Sequence, residues 1–190
     1  WNGAWLKSAN ARVRRAFLDG LDQAALEHLE HDWRIWARPD QAAPAGDWSV
    51  WLFLGGRGAG KTRAGAEWVA EQVRLGARRV ALVAPDLGDA REVMIEGPSG
   101  LRHVGHPRSR PAFESSRRRL VWPNGAVGYA FSAADPDSLR GPQFDRAWAD
   151  ELASWPHGGE AFDMLRLGLR LGSGPKLCVT TTPRPVAIVK

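Results

Sequence analysis

Cysteine is almost missing from this chain. Cys178 stands alone among 190 residues, so no internal disulfide can form, which fits a reducing compartment. Its setting, KLCVTTT, is an apolar strand-like run with no activating neighbour. It therefore reads as a small core residue and not as a nucleophile. No run of 18 or more apolar residues occurs, so no membrane-spanning helix is expected, and no membrane is expected as partner. No charged n-region, apolar h-region and cleavage site open the chain, so nothing points to secretion. HLEH (His28, His31) and HVGH (His103, His106) each lack a second ligand pair, which argues against zinc. No acidic cluster suits a two-metal nuclease, and Asp135 and Asp137 in AADPDS read as turn residues. The chain begins at Trp1 without methionine and ends at Lys190 just after a strand-like run, so it reads as a fragment of a longer protein.

What is present is ordinary in bulk and basic in balance. Hydrophobic residues make up 44% and charged residues 25%, the composition of one globular domain with a real core. Twenty-six basic residues give a net charge of +5, consistent with a polyanionic partner. The densest cluster is SSRRRL, with Arg117, Arg118 and Arg119, either a solvated strand start or a DNA contact. The ten tryptophans are core or interface anchors, with none singled out for base stacking.

The hydrophobic pattern alternates between two periods. Residues 4–37 read as helical, and ARPDQAAPAGD breaks the helix. WSVWLFL, 48–54, is a continuous apolar run, as in a strand buried on both faces. A helix is expected over 62–76, a second buried strand over 78–86 and a short helix over 87–97. Strand, helix and strand in about forty residues predict a parallel sheet with right-handed crossovers. Residues 97–112 read as loop. Asn124-Gly125 between two strand-like runs, within 118–133, predicts an antiparallel hairpin. A short strand over 144–151, a helix over 161–171 and a last strand over 175–183 complete the pattern.

GGRGAGKT lies between the first strand and its helix. Gly55, Gly60, Lys61 and Thr62 satisfy G-x-x-x-x-G-K-[ST], with Gly56, Arg57, Gly58 and Ala59 between them. Glycines let the backbone curl so that successive N–H groups face phosphate oxygens, and the helix start adds its positive dipole end. Lys61 is placed for the β- and γ-phosphates, and the Thr62 hydroxyl for Mg²⁺. ATP and Mg²⁺ are thus the expected cofactors. RAWADE offers the partner acids: Asp150 to hold Mg²⁺ through water, Glu151 to polarise the attacking water.

Assembled, these residues resemble the ATPase domain of a large terminase subunit, the DNA-packaging motor of tailed phages and gene transfer agents. The resemblance runs from about Trp33 to Pro185. It rests on DWRIWARPDQAAPAGDWSVWLFLGGRGAGKTRAGAEWV, on RRRLVWPNGAVGYAFSAADPDSLRGPQFDRAWADELASW, and on CVTTTPRP. It implies a RecA/ASCE-like P-loop NTPase fold, an α/β mostly parallel sheet flanked by helices with an antiparallel hairpin. Residues 1–46 would form a helical segment and adenine-binding linker, and 47–190 the ATPase core; the family's C-terminal nuclease domain is absent from this chain. Gln41, with Trp36 and Arg38 nearby, would lie by the adenine. Arg57 and Arg140 are the candidates for the arginine that neutralises transition-state charge. Thr180, Thr181 and Thr182 would sense the γ-phosphate and couple its loss to movement. The implied partners are double-stranded DNA, a portal protein and a small terminase subunit. The implied assembly is a homo-oligomeric ring, monomeric in isolation, in the cytoplasm of a bacterial host. Two other readings stay open: a helicase-like DNA-dependent ATPase, and a nucleotide-gated assembly module with little activity alone.

Overall fold

A computed structural model of the chain describes residues 3–189. The terminal positions 1, 2 and 190 of the two divisions expected from sequence lie outside the described residues.

The first stretch is not one helix. It is cut into α1 (Gly3–Ser8), α2 (Ala11–Asp19), α3 (Gln23–His31) and α4 (Trp33–Trp36). Each break falls on a residue whose side chain bonds a backbone N–H of the next helix. Asn10 accepts from Val13 N at 3.0 Å, Asp22 from Ala25 N at 2.7 Å and Asp32 from Arg34 N at 3.1 Å. Leu6, Leu29 and Ile35 are buried where these helices meet, with Phe17, Leu18 and Leu21 packed around them. A 3-10 turn, Pro39–Gln41, leads toward the sheet.

The sheet is built from β1 (Val50–Leu54), β2 (Arg79–Ala84), β3 (Ala112–Glu114), β4 (Arg119–Val121), β5 (Val127–Ser132), β6 (Arg146–Asp150) and β7 (Lys176–Thr181). Their order across the sheet is β1-β7-β6-β2-β5-β4-β3. The first five in that order run parallel, and β4 and β3 complete it antiparallel. Helix α5 (Lys61–Arg74) packs on one face and α7 (Gly158–Gly168) on the other. Alternate strand residues serve the two cores. Val80, Leu82, Trp148 and Cys178 join Val69 and Val73 of α5, whereas Val83, Ala149, Leu177 and Val179 join Ala161 and Leu165 of α7. Burial pushes the Cys178 thiol pKa well up, in keeping with an inert core residue.

β1 departs from expectation. Trp51 and Phe53 are buried, but Val50, Leu52 and Leu54 are 43%, 44% and 44% exposed. The strand is at the sheet edge, and α7 covers β2, β6 and β7 on that face instead. An all-apolar run therefore sits in a strand buried on one face only. Residues 87–97 also differ: α6 (Leu87–Asp89) passes into a π-helical turn, Ala90–Ile95, after Asp86 caps Asp89 N at 2.8 Å. The hairpin about Asn124-Gly125 forms as expected, with Gly125 at φ 83°. β3, which pairs with β4, begins at the last residue of the stretch read as loop and was not expected. Among the described residues no helix is long and apolar enough to cross a membrane.

Candidate nucleotide site

The carboxyl ends of β1, β7 and β6 lie side by side, and the candidate residues follow directly from them. β7 intervenes between the P-loop strand and the strand with the acid pair. Gly55 N donates to Thr181 O at 3.2 Å, so the P-loop begins tied to β7. Gly58 and Gly60 have φ of 76° and 77°, values that side-chain-bearing residues rarely adopt. A Cβ at Gly60 would also meet Gln41 Nε2 at 2.2 Å.

Lys61 opens α5 and is buried. Its Nζ donates to Gly56 O at 3.1 Å and lies 3.4 Å from Glu151 Oε1. The P-loop lysine and the second acid thus face the same space. Thr62 is half-buried one residue on. The curled glycine backbone, the buried ammonium and a hydroxyl at a helix start are the donor set a Mg²⁺-bound polyphosphate requires.

Asp150 ends β6 and is buried. Burial pushes its pKa up to about 6, opposed by the Thr180 hydroxyl bond and helped by the charge of Glu151. Glu151 adopts the left-handed region at φ 48°, unusual for a residue with a side chain. That turn takes its carboxylate out of the strand direction and across to β7. Thr182 N and Thr182 Oγ1 each donate to it at 3.1 Å.

The three threonines divide their contacts. Thr180 Oγ1 donates to Asp150 Oδ1 at 2.5 Å. Thr181 Oγ1 accepts from Ala153 N at 2.9 Å, in the turn after Glu151. Thr182 holds Glu151 itself. The strand alternation sends Thr180 and Thr181 to opposite faces, both fully buried.

Gln41 is buried against the P-loop. Its Oε1 accepts from Arg38 N at 3.1 Å and its Nε2 donates to Gly60 O at 3.4 Å. Arg38 Nη2 donates to Ala59 O at 2.6 Å, so the linker grips the loop twice. Trp36 is exposed, with its indole bonded to Leu29 O at 3.0 Å. Arg57 is exposed on the P-loop. Arg140 follows a 3-10 turn, Pro136–Leu139, and pairs with Asp137 at 3.0 Å.

Several contributors escaped the sequence reading. Asp86 and Asp89 follow β2, and the Asp89 pKa is raised by burial, by Asp86 and by Glu151. Trp148, two residues before Asp150, donates its indole N–H to Thr180 Oγ1 at 2.7 Å. Its place beside the acids in RAWADE was the visible signal. Among the described residues no group of three or more His, Cys, Asp or Glu could hold a metal ion by itself. His106 instead pairs with Glu27 at 3.1 Å and packs edge-on against His31. In the arginine run, Arg119 is tied to Glu114 at 2.8 Å, while Arg117 and Arg118 are exposed.

Residues 52–190 match the family of terminase large subunits, T4likevirus-type, N-terminal. The chain belongs to that family. No curated protein matches. The ATPase domain of the Thermus phage P74-26 large terminase has the same fold, with TM-score 0.61 and 18% identity over 88% of this chain and 71% of that one. The large terminase of a thermophilic bacteriophage gives TM-score 0.61 and 18% identity over 83% of this chain, and 38% of its own length. Its complex with ADP gives TM-score 0.55 and 17% identity, over 82% of this chain and 37% of that one. The chain thus spans well under half of that terminase, and the P-loop fold is common to all of them.

Proposed function

We propose that this chain is the ATP-hydrolysing motor unit of a DNA-packaging large terminase subunit. The observation that carries the reading is the meeting of Lys61, Glu151 and Thr182 at the ends of β1, β6 and β7, within a terminase family match. The ADP complex of a structurally similar terminase supports a nucleotide as ligand.

In this reading the P-loop backbone from Gly55 to Gly60 and the Lys61 ammonium hold the β- and γ-phosphates. Thr62, and Asp150 through water, would hold Mg²⁺, which would supply positive charge against the phosphates. Glu151 orients the attacking water, and its contact with Thr182 gives β7 a link to the γ-phosphate position. Arg38 and Gln41 support the P-loop from the linker, Gln41 beside the adenine. Arg57 or Arg140 supplies positive charge to the transferring group. Residues 1–46 act as the helical segment and linker, and 47–190 as the ATPase core. Double-stranded DNA, a portal and a small terminase subunit are the partners, in a homo-oligomeric ring within the bacterial cytoplasm.

Lys61→Ala tests the reading directly. A charge-assisted hydrogen bond contributes roughly 1.5–3 kcal/mol, so its loss should cut ATP turnover at least about tenfold. The variant should keep the wild-type circular dichroism spectrum. Unchanged turnover in a folded variant rejects the assignment. ATP turnover measured with and without double-stranded DNA and portal separates a motor from an assembly module.

A further inference from the structure

Trp148 is buried in the strand that ends in the acid pair. Burial alone does not call for a polar edge on that side chain. The indole does two further things. It lies flush against α5 one turn after Lys61: a Cβ at Gly65 would meet Trp148 Cε2 at 2.3 Å and Nε1 at 2.4 Å. Its N–H, which can only donate, points at Thr180 Oγ1 from 2.7 Å. A hydroxyl that receives a bond in this way has one proton left to give. That proton goes to Asp150 Oδ1 at 2.5 Å, with Ala149 O a distant second acceptor at 3.5 Å. The chain of contacts runs from the α5 backbone through Trp148 and Thr180 to one oxygen of Asp150. Both groups at its ends are buried, so water does not compete for the bonds.

We propose that Trp148 is a positioning residue for Mg²⁺–nucleotide binding: through the Thr180 hydroxyl it fixes the Asp150 carboxylate relative to the helix that carries Lys61 and Thr62. This rests on the reading of the site given above. It assigns Thr180 to the metal side of the site, apart from Thr182, which bonds Glu151. Gly65 belongs to the same device, since a side chain there would push the indole away from Thr180.

The test uses the whole chain with a fluorescent ADP analogue, titrated with Mg²⁺, together with the indole N–H signals of a ¹⁵N-labelled sample. Trp148→Phe keeps an aromatic ring without a donor. Thr180→Val keeps the shape without a hydroxyl, and Thr180→Ser restores the hydroxyl. Trp148→Phe and Thr180→Val should each raise the Mg²⁺ needed for half-maximal binding about tenfold, the scale of one lost hydrogen bond to a charged group. Metal-free affinity for the analogue should stay within about twofold, and Thr180→Ser should bind as wild type does. The indole signal absent from Trp148→Phe should exchange slowly in wild type and Thr180→Ser, and quickly in Thr180→Val. An unchanged Mg²⁺ requirement in Trp148→Phe and Thr180→Val overturns the proposal, as does an equal loss of metal-free affinity. A wild-type chain that binds no Mg²⁺–nucleotide overturns the functional reading itself, a different result from normal wild-type binding with indifferent variants.

Discussion

The two neighbouring acids occupy different environments. Asp150 is buried with its pKa raised to about 6 from an ordinary 3.8, while Glu151 is partly exposed beside Lys61. An acid with a raised pKa keeps its proton in the folded chain where the unfolded chain has lost it. Between pH 3.8 and about 6 the folded state therefore binds more protons, and stability falls as pH rises through that window. The loss amounts to about 3 kcal/mol and is complete above the upper value. Asp150→Asn, which cannot ionise, should restore most of it at pH 7.5 in metal-free protein. Urea unfolding from pH 4 to pH 8 reads this: relative to the variant, wild type should lose stability across the window. Glu151→Gln keeps the shape but weakens the pull on a water proton. It should bind Mg²⁺–ATP with near wild-type affinity and hydrolyse it at least about a hundredfold more slowly. Rapid hydrolysis by this variant would remove Glu151 from the chemistry.

At the scale of elements, β7 connects the site. Thr181 bonds Ala153 N, which holds the turn that follows Glu151. Thr181→Val leaves that buried N–H without a partner, at a cost of about 1–3 kcal/mol. Amide exchange at Ala153 should accelerate, while nucleotide affinity stays near wild type; slow exchange there would deny the role. None of these separate contacts was legible in TTT, because strand alternation shows opposite faces but not what lies on each. The P-loop and acid pair were legible because each is short, contiguous and bound to its strand end. The breaks within residues 4–37 were legible in principle, since Asn10, Asp22 and Asp32 are N-cap residues. Apolar spacing alone masked them. β3 was not legible: it has three residues after Pro111, too few to display a period. The half-exposure of β1 followed from its edge position, which composition does not reveal.

At the scale of the whole molecule, the proposed reaction calls for one more charge. Lys61 and the two acids come from within the chain, but in ATP hydrolysis the transferring phosphoryl group spreads negative charge over oxygens that also need a donor. A guanidinium fork suits them. Arg140 is 62% exposed and its Nε pairs with Asp137, itself 77% exposed. Such an exposed pair is held by no more than about 1 kcal/mol, so the arginine is free to exchange partners at little cost. Buried Leu139 anchors the turn behind it, and Gly141 follows at φ 93°. On the proposed function, an arginine presented outward on an anchored turn is the one we expect to enter a neighbouring subunit's site. Arg57 is its competitor, because it lies exposed on the glycine loop where the proposed reading puts the phosphates of its own subunit. An arginine finger contributes about 10³–10⁵ in rate, so either loss should silence a subunit. Mixing separates the two. Arg140→Ala keeps a whole site but offers no finger, while Glu151→Gln offers the finger but has a dead site. Full-length subunits of both kinds, combined in a ring on the portal, should regain ATP turnover that neither shows alone. If mixing restores nothing while Arg57→Ala alone abolishes turnover, the charge comes from within the subunit, and Arg140 serves only its turn.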